Sequence, residues 1–256
     1  MTNSASEQLI ALWDSPAEDS SFVRTAHLIR KLVRAESHAE ALKKIELLEV
    51  IDLSVDPWMK RSWQLELDVL KLLPSLSGLK LSGAKTSSLT VLENLSSLKQ
   101  LFIDEMDVES IDFVSQLPAL EVISARRNKL RSLEPLKHCP KLREAHFTEN
   151  NLTTLAPIVE LQSLRVLDVS QNMISDLMPL AKLRNLRVLR LQRNGLTQLD
   201  GLEDLINLDE LDVRDNRVMS LKSIKSLGML SALGIAGNPL TDDDVDTIRR
   251  SIKLLS

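Results

Sequence analysis

His146 and Asp168 stand 22 residues apart, and Arg190 and Asp212 follow at the same interval. An imidazole beside a carboxylate is half of a triad: the carboxylate fixes the ring's tautomer while the other nitrogen takes a proton from a nucleophile. The other half is missing here. No serine in the surrounding segments is placed as a nucleophile with an oxyanion hole, and an open surface gives little desolvation with which to shift a pKa. The patterns Gly-x-x-x-x-Gly-Lys, Gly-x-Gly-x-x-Gly and His-Glu-x-x-His are absent. The histidines at 27, 38, 138 and 146 show no metal-ligand spacing on one element, so neither metal nor cofactor is expected. An enzyme acting through His146, Asp168 and Arg190 is the weakest reading these residues allow.

The interval itself carries more information than the pair. Leucine recurs at 76, 98, 120, 142, 164, 186, 208 and 230, each 22 residues from the last. The phrase L-x-x-L-x-L-x-x-N follows as LEVISARRN (120–128), LREAHFTEN (142–150), LRVLDVSQN (164–172), LRVLRLQRN (186–194) and LDELDVRDN (208–216), and SALGIAGN completes it from Leu230. Asparagine closes the phrase at 128, 150, 172, 194, 216 and 238, whereas Ala84 and Met106 stand there in the first two regular repeats, which should be less regular. Cys139, the only cysteine, occupies an inward leucine position and is expected to act as a small core hydrophobe. A lone cysteine also rules out an intramolecular disulfide, which fits a reducing compartment.

This pattern resembles the leucine-rich repeat family, in its 22-residue class, over roughly two thirds of the chain. That class includes the nuclear regulator of protein phosphatase 1 and the bacterial internalins. The resemblance implies a right-handed α/β solenoid, or horseshoe, in which L-x-x-L-x-L is a short parallel strand on the concave face. Short 3₁₀ or helical turns lie behind, and the asparagine turns inward to hydrogen-bond backbone groups of neighbouring turns. A buried turn needs such partners.

The expected organisation is a helical N-terminal cap over residues 1–47, the solenoid over 48–238, and a C-terminal cap helix over 239–256. Leu48, Ile51 and Leu53 suggest a first repeat of 28 residues, with the extra six placed near SVDPWMKRSW (54–63), where Trp58 and Trp63 would cover the open end. Upstream, Phe22, Ala26, Ile29 and Val33 recur at helical spacing, with capping or a second recognition surface as the two roles open to that segment. Downstream, Thr241 and Asp244 form a capping-box pattern, and Val245, Ile248 and Ile252 share one face.

Side chains alternate along a strand, so with Leu167 and Val169 inward, Val166, Asp168 and Ser170 face out. In-register stacking then makes rows. One runs Asp52, Lys80, Phe102, Ser124, His146, Asp168, Arg190, Asp212 and Gly234; the flanking rows contain Val122, Val166 and Val188 on one side and Arg126 and Arg214 on the other. A mixed charged and apolar surface with one aromatic suits a protein partner better than a small molecule. The candidate partner-binding residues are therefore Phe102, Val122, Arg126, His146, Val166, Asp168, Val188, Arg190, Asp212 and Arg214. The row from His146 to Asp212 reads equally as cross-strand pairing that avoids repulsion or as a patch that orients a charged partner. Arg143, Arg165 and Arg187 form a further stripe, either a solvated edge or a contact for acidic or phosphate groups.

A net charge of −4 gives no general attraction to nucleic acid or anionic lipid. The opening MTNSASEQLIALWD lacks a signal peptide's basic start and apolar run, and no stretch reaches roughly 18 consecutive apolar residues. The sequence thus points to a cytoplasmic, non-enzymatic protein-binding scaffold, monomeric on its own, with no nucleic-acid or membrane partner. Within that class, an inhibitor or immunity protein for a cognate toxin and a regulatory subunit or adaptor both remain open.

Overall fold

A computed structural model of the chain describes residues 7, 8, 11, 25, 29, 40, 43, 44, 49–54, 65–73, 75–249 and 253–255. Ten parallel strands follow one another in a single sheet in strict sequence order. They are β1 (Val50–Asp52), β2 (Gly78–Lys80), β3 (Gln100–Phe102), β4 (Val122–Ser124), β5 (Glu144–His146), β6 (Val166–Asp168), β7 (Val188–Arg190), β8 (Glu210–Asp212), β9 (Ala232–Gly234) and β10 (Lys253–Leu255). From β2 to β9 each residue pairs with the one 22 positions on, as Val166 with Val188 and Asp168 with Arg190. The pairing of Val50 with Gly78 gives the first repeat the 28-residue length read from the sequence.

Only three residues of each repeat are strand, and the middle one points inward. Ile51, Leu79, Leu101, Ile123, Ala145, Leu167, Leu189, Leu211 and Leu233 are all buried, and with the other leucine positions they form one continuous core. Behind the sheet the chain returns through 3₁₀ turns such as Asp112–Gln116, Glu134–His138 and Met178–Leu180. Such turns are short enough to fit a 22-residue lap, which full helices would lengthen.

The asparagines do the work expected of them. Asn172 Oδ1 accepts from Leu152 N–H at 2.9 Å while its Nδ2 donates to Phe147 O at 2.9 Å and Val169 O at 3.0 Å. Asn128, Asn150, Asn194, Asn216 and Asn238 repeat this with their own neighbours. The residue before each of the first five asparagines is left-handed: Arg127, Glu149, Gln171, Arg193 and Asp215 have φ between 52° and 57°. Glu105 continues that column, and Gly83 and Gly237 end it with φ of 70° and 76°.

At the C-terminal end the helix α1 (Asp242–Arg249) starts on the expected box: Thr241 Oγ1 accepts from Asp244 N–H at 3.2 Å and donates to the Asp244 carboxylate at 2.6 Å. Ile248 is buried and Val245 packs on the core, while Ile252 lies outside the described residues. A helix running to the chain end is not what forms, because Lys253–Leu255 pairs with β9 as the tenth strand. Of the N-terminal stripe, Ile29 is helical and buried; Thr25, which is not part of it, accepts at Oγ1 from Glu66 N–H at 3.1 Å. Phe22, Ala26, Val33, Trp58 and Trp63 lie outside the described residues.

Candidate functional site

The outward residues of β2 to β9 and the two positions beyond each strand make a surface of three rows, with neighbouring strands about 4.8 Å apart. All ten candidate residues lie on it, from Phe102 on β3 to Arg214 just past β8. They do not converge on one point, since five strand spacings put Phe102 roughly 24 Å from Asp212.

The pairings on this face do not follow the row from His146 to Asp212. Arg190 donates to Glu210 at 2.9 Å, and Arg214 binds Asp212 through both Nε and Nη2, the latter at 2.7 Å, while reaching Gln192 at 3.3 Å. Arg126 Nη2 lies 3.1 Å from His146 Nδ1. A guanidinium can only donate, so this nitrogen accepts and the ring proton sits on Nε2. Burial lowers the His146 pKa, the Arg126 charge lowers it further, and Asp168 and Glu144 oppose them only in part. Among the described residues no hydrogen bond joins His146 to Asp168. With Nδ1 taken by Arg126, the imidazole has no free lone pair to act as a base.

Asp168 and Asp212 stand on the outward side of the sheet yet are only 8% and 3% exposed. Each carboxylate accepts from the backbone N–H two residues on, at Ser170 and Arg214, both at 3.1 Å, and Asp52 does the same with Ser54 at 3.0 Å. This is local turn chemistry that ties the strand end. Its signal is legible afterwards in the fragments DLS, DVS and DVR (52–54, 168–170, 212–214). It also accounts for Gly234 in the same row, where a Cβ would lie 2.6 Å from Asp212 Oδ1. Asp104, absent from the candidates, plays a related part: its Oδ1 accepts from Ser124 Oγ at 2.6 Å and Arg126 N–H at 2.7 Å.

Available to a visitor are the half-buried Val122, Val166 and Val188, the exposed Arg126, and the partly exposed Arg190 and Arg214. Phe102 forms a separate patch with Lys80, whose Nζ lies 5.4 Å from the ring centroid. At the lower edge Arg143, Arg165 and Arg187 are exposed on adjacent turns. Arg143 meets Glu121 at 3.6 Å, while Arg165 and Arg187 have no ion-pair partner among the described residues. No cluster of His, Cys, Asp or Glu among the described residues could hold a metal ion, and no described helix is long and apolar enough to cross a membrane.

No protein-family model and no curated protein matches the sequence. Solved structures do match. Internalin C2 of Listeria monocytogenes shares 20% identity with a TM-score of 0.72, over 91% of this chain and 96% of that one. A leucine-rich repeat protein of Leptospira interrogans shares 25% with a TM-score of 0.73, over 84% of this chain and 56% of that one. The chain is a leucine-rich repeat protein. The functional domain of InlJ from Listeria monocytogenes, at 25% identity and a TM-score of 0.67, is matched over 84% of this chain and 45% of its own length and includes a cysteine ladder. With one cysteine, the leucine-rich repeats here build their internal ladder from asparagine.

Proposed function

We propose that this leucine-rich repeat protein is a non-enzymatic binding module that captures a partner protein on the outward face of its sheet. The observation that carries the reading is the contrast within that face. Asp168, Asp212 and Ser124 are buried and committed to the fold, whereas Val122, Val166 and Val188 stay partly exposed beside Arg126, Arg190 and Arg214. Half-buried apolar residues beside arginines are in keeping with the composition of protein interfaces. The side chains are already held, Arg190 by Glu210 and Arg214 by Asp212, so docking costs little ordering entropy. An inhibitor and a regulatory subunit would both work in this way, in the cytoplasm, where a free thiol such as Cys139 survives.

The test must spare the scaffold. A reversal at Asp212 would set a second cation against Arg214 and disturb the fold, so the probe positions are Val166, Val188 and Arg126. A photo-crosslinking residue at 166 should trap one partner, and Arg126→Glu with Val188→Lys, at the valine paired with 166 on the next strand, should abolish the adduct. The control crosslinker belongs at Met178, 58% exposed on the turn side. The same partner trapped from 178 and not from 166, or an adduct that survives the double substitution, would overturn the reading.

A further inference from the structure

The ladder breaks at the second regular repeat, and a cavity fills the break. From the third regular repeat on, a backbone bond joins successive turns: Lys129 N–H to Val108 O, Asn151 to Leu130, Met173 to Leu152, Gly195 to Ile174 and Arg217 to Leu196, all at 2.8–2.9 Å. The equivalent bond from Asp107 N–H to Thr86 O does not form, and neither group has another partner among the described residues. Three residues explain it. Met106 stands where an asparagine would accept from the turn before. Thr86 stands where Leu130, Leu152 and Leu196 fill the core, and it bridges away towards Leu65. Ala84 stands at the other missing asparagine position. Space opens between turns 83–90 and 105–113, with a volume of about 680 Å³.

This volume lies within the range of small-molecule sites, roughly 300–1,000 Å³. Its floor is apolar, from Leu89, Met106, Val108 and Phe113. Its rim carries Glu93, Glu105, Asp107 and Asp112 against the single cation Lys85. Arg127 and Lys129 neutralise Glu105 and Asp107 at 3.0 Å each, but Glu93 and Asp112 have no ion-pair partner among the described residues. We propose that this cavity is a binding site for a small organic cation with an apolar body, its charge met by Glu93 and Asp112 and its polar hydrogens or lone pairs by the unpaired Thr86 O and Asp107 N–H. It is separate from the sheet face and does not depend on it.

Tryptamine is the probe, with indole-3-propionate as the anion of similar shape, followed by chemical shifts of the Met106 methyl and the Val108 amide in the full chain. Tryptamine should produce saturable shifts at these two residues, and the anion should bind at least tenfold more weakly. Glu93→Gln with Asp112→Asn should weaken tryptamine by about tenfold or more, corresponding to the loss of its charge contacts. Thr86→Leu should abolish binding by filling the floor, and Met106→Asn should do so by restoring the stitch, in variants that move toward the regular repeat and therefore keep the fold. The proposal falls if tryptamine does not saturate by about 10 mM, if the anion binds as well, or if Thr86→Leu leaves the shifts unchanged. It falls equally if an oligolysine peptide moves these resonances and tryptamine does not, since the site would then take a peptide.

Discussion

Replacing Asn172 by alanine tests the internal ladder, and its cost can be worked out bond by bond. The Asn172 amide serves three carbonyls, yet each keeps another donor: Phe147 O accepts from Asn150 Nδ2, Val169 O from Asn194 Nδ2, and Ser170 O from Glu149 N–H. The Leu152 N–H has no substitute for Asn172 Oδ1, and Leu152 is wholly buried. One orphaned buried donor costs about 1–3 kcal/mol, and weakened donation to the carbonyls adds about 1 kcal/mol. The expected loss for Asn172→Ala is therefore about 2–4 kcal/mol in urea unfolding followed by circular dichroism. Asn172→Asp keeps the acceptor for Leu152 but turns an oxygen towards three carbonyls, so it should cost more than alanine. Met173→Ala, one residue on and 51% exposed, should stay within about 0.5 kcal/mol of the parent. Hydrogen exchange at the Leu152 amide should accelerate in the alanine variant beyond that of neighbouring core amides. An alanine variant within about 0.5 kcal/mol of the parent, or an aspartate milder than alanine, would refute the account.

Three further outcomes are expected. His146 should titrate by NMR below the ordinary 6.5, because burial and Arg126 disfavour its charged form. The folded state then binds fewer protons than the unfolded one between the lowered value and 6.5, so stability should fall as pH drops through that window and the slope should shrink in His146→Gln; a midpoint at or above 6.5 contradicts this. Burial raises the Cys139 thiol to about 12, so it should resist alkylation at pH 8 in the folded protein and react at the rate of unfolding; full labelling within the mixing time would show the pocket of the thiol misread. Gly234→Ala should cost about 1–3 kcal/mol by displacing the Asp212 carboxylate from Arg214, whereas Gly78→Ala, whose Cβ meets the exposed Val50 side chain at 3.0 Å, should be nearly neutral; equal costs at the two glycines would remove the assigned cause.

The scaffold was readable because one residue type does one job at one interval. A leucine pointing inward and an asparagine stitching a turn have few substitutes, so Leu164 and Asn172 recur in the sequence just as they recur in space. The left-handed column did not show itself for the opposite reason. Glu105, Arg127, Glu149, Gln171, Arg193 and Asp215 share a backbone conformation but no side chain, and only Gly83 and Gly237 at its ends carry the usual mark of positive φ. Burial on the sheet face is not legible at Asp168 and Asp212, because alternation gives the direction of a side chain and not its neighbours. At Asp212 the short carboxylate bends to its own backbone two residues on and is bound by Arg214, which also reaches Gln192.

The period also dictates where a binding function can be encoded in such a chain. A position that satisfies the repeat is constrained twenty-two residues away in both directions, so it cannot be adapted to a ligand without breaking a stitch. Two places leave that freedom beside the fold's own core. One is the outward rows, where the fold fixes the geometry of Val122, Val166, Val188 and their arginines but not their identity. The other is a lap where the rule has already lapsed, as at Ala84, Thr86 and Met106, and there the unmade hydrogen bond and the missing leucine volume leave polar groups and space in one location. Departures from the period, more than the period itself, are thus the residues at which this sequence can address something other than its own next turn.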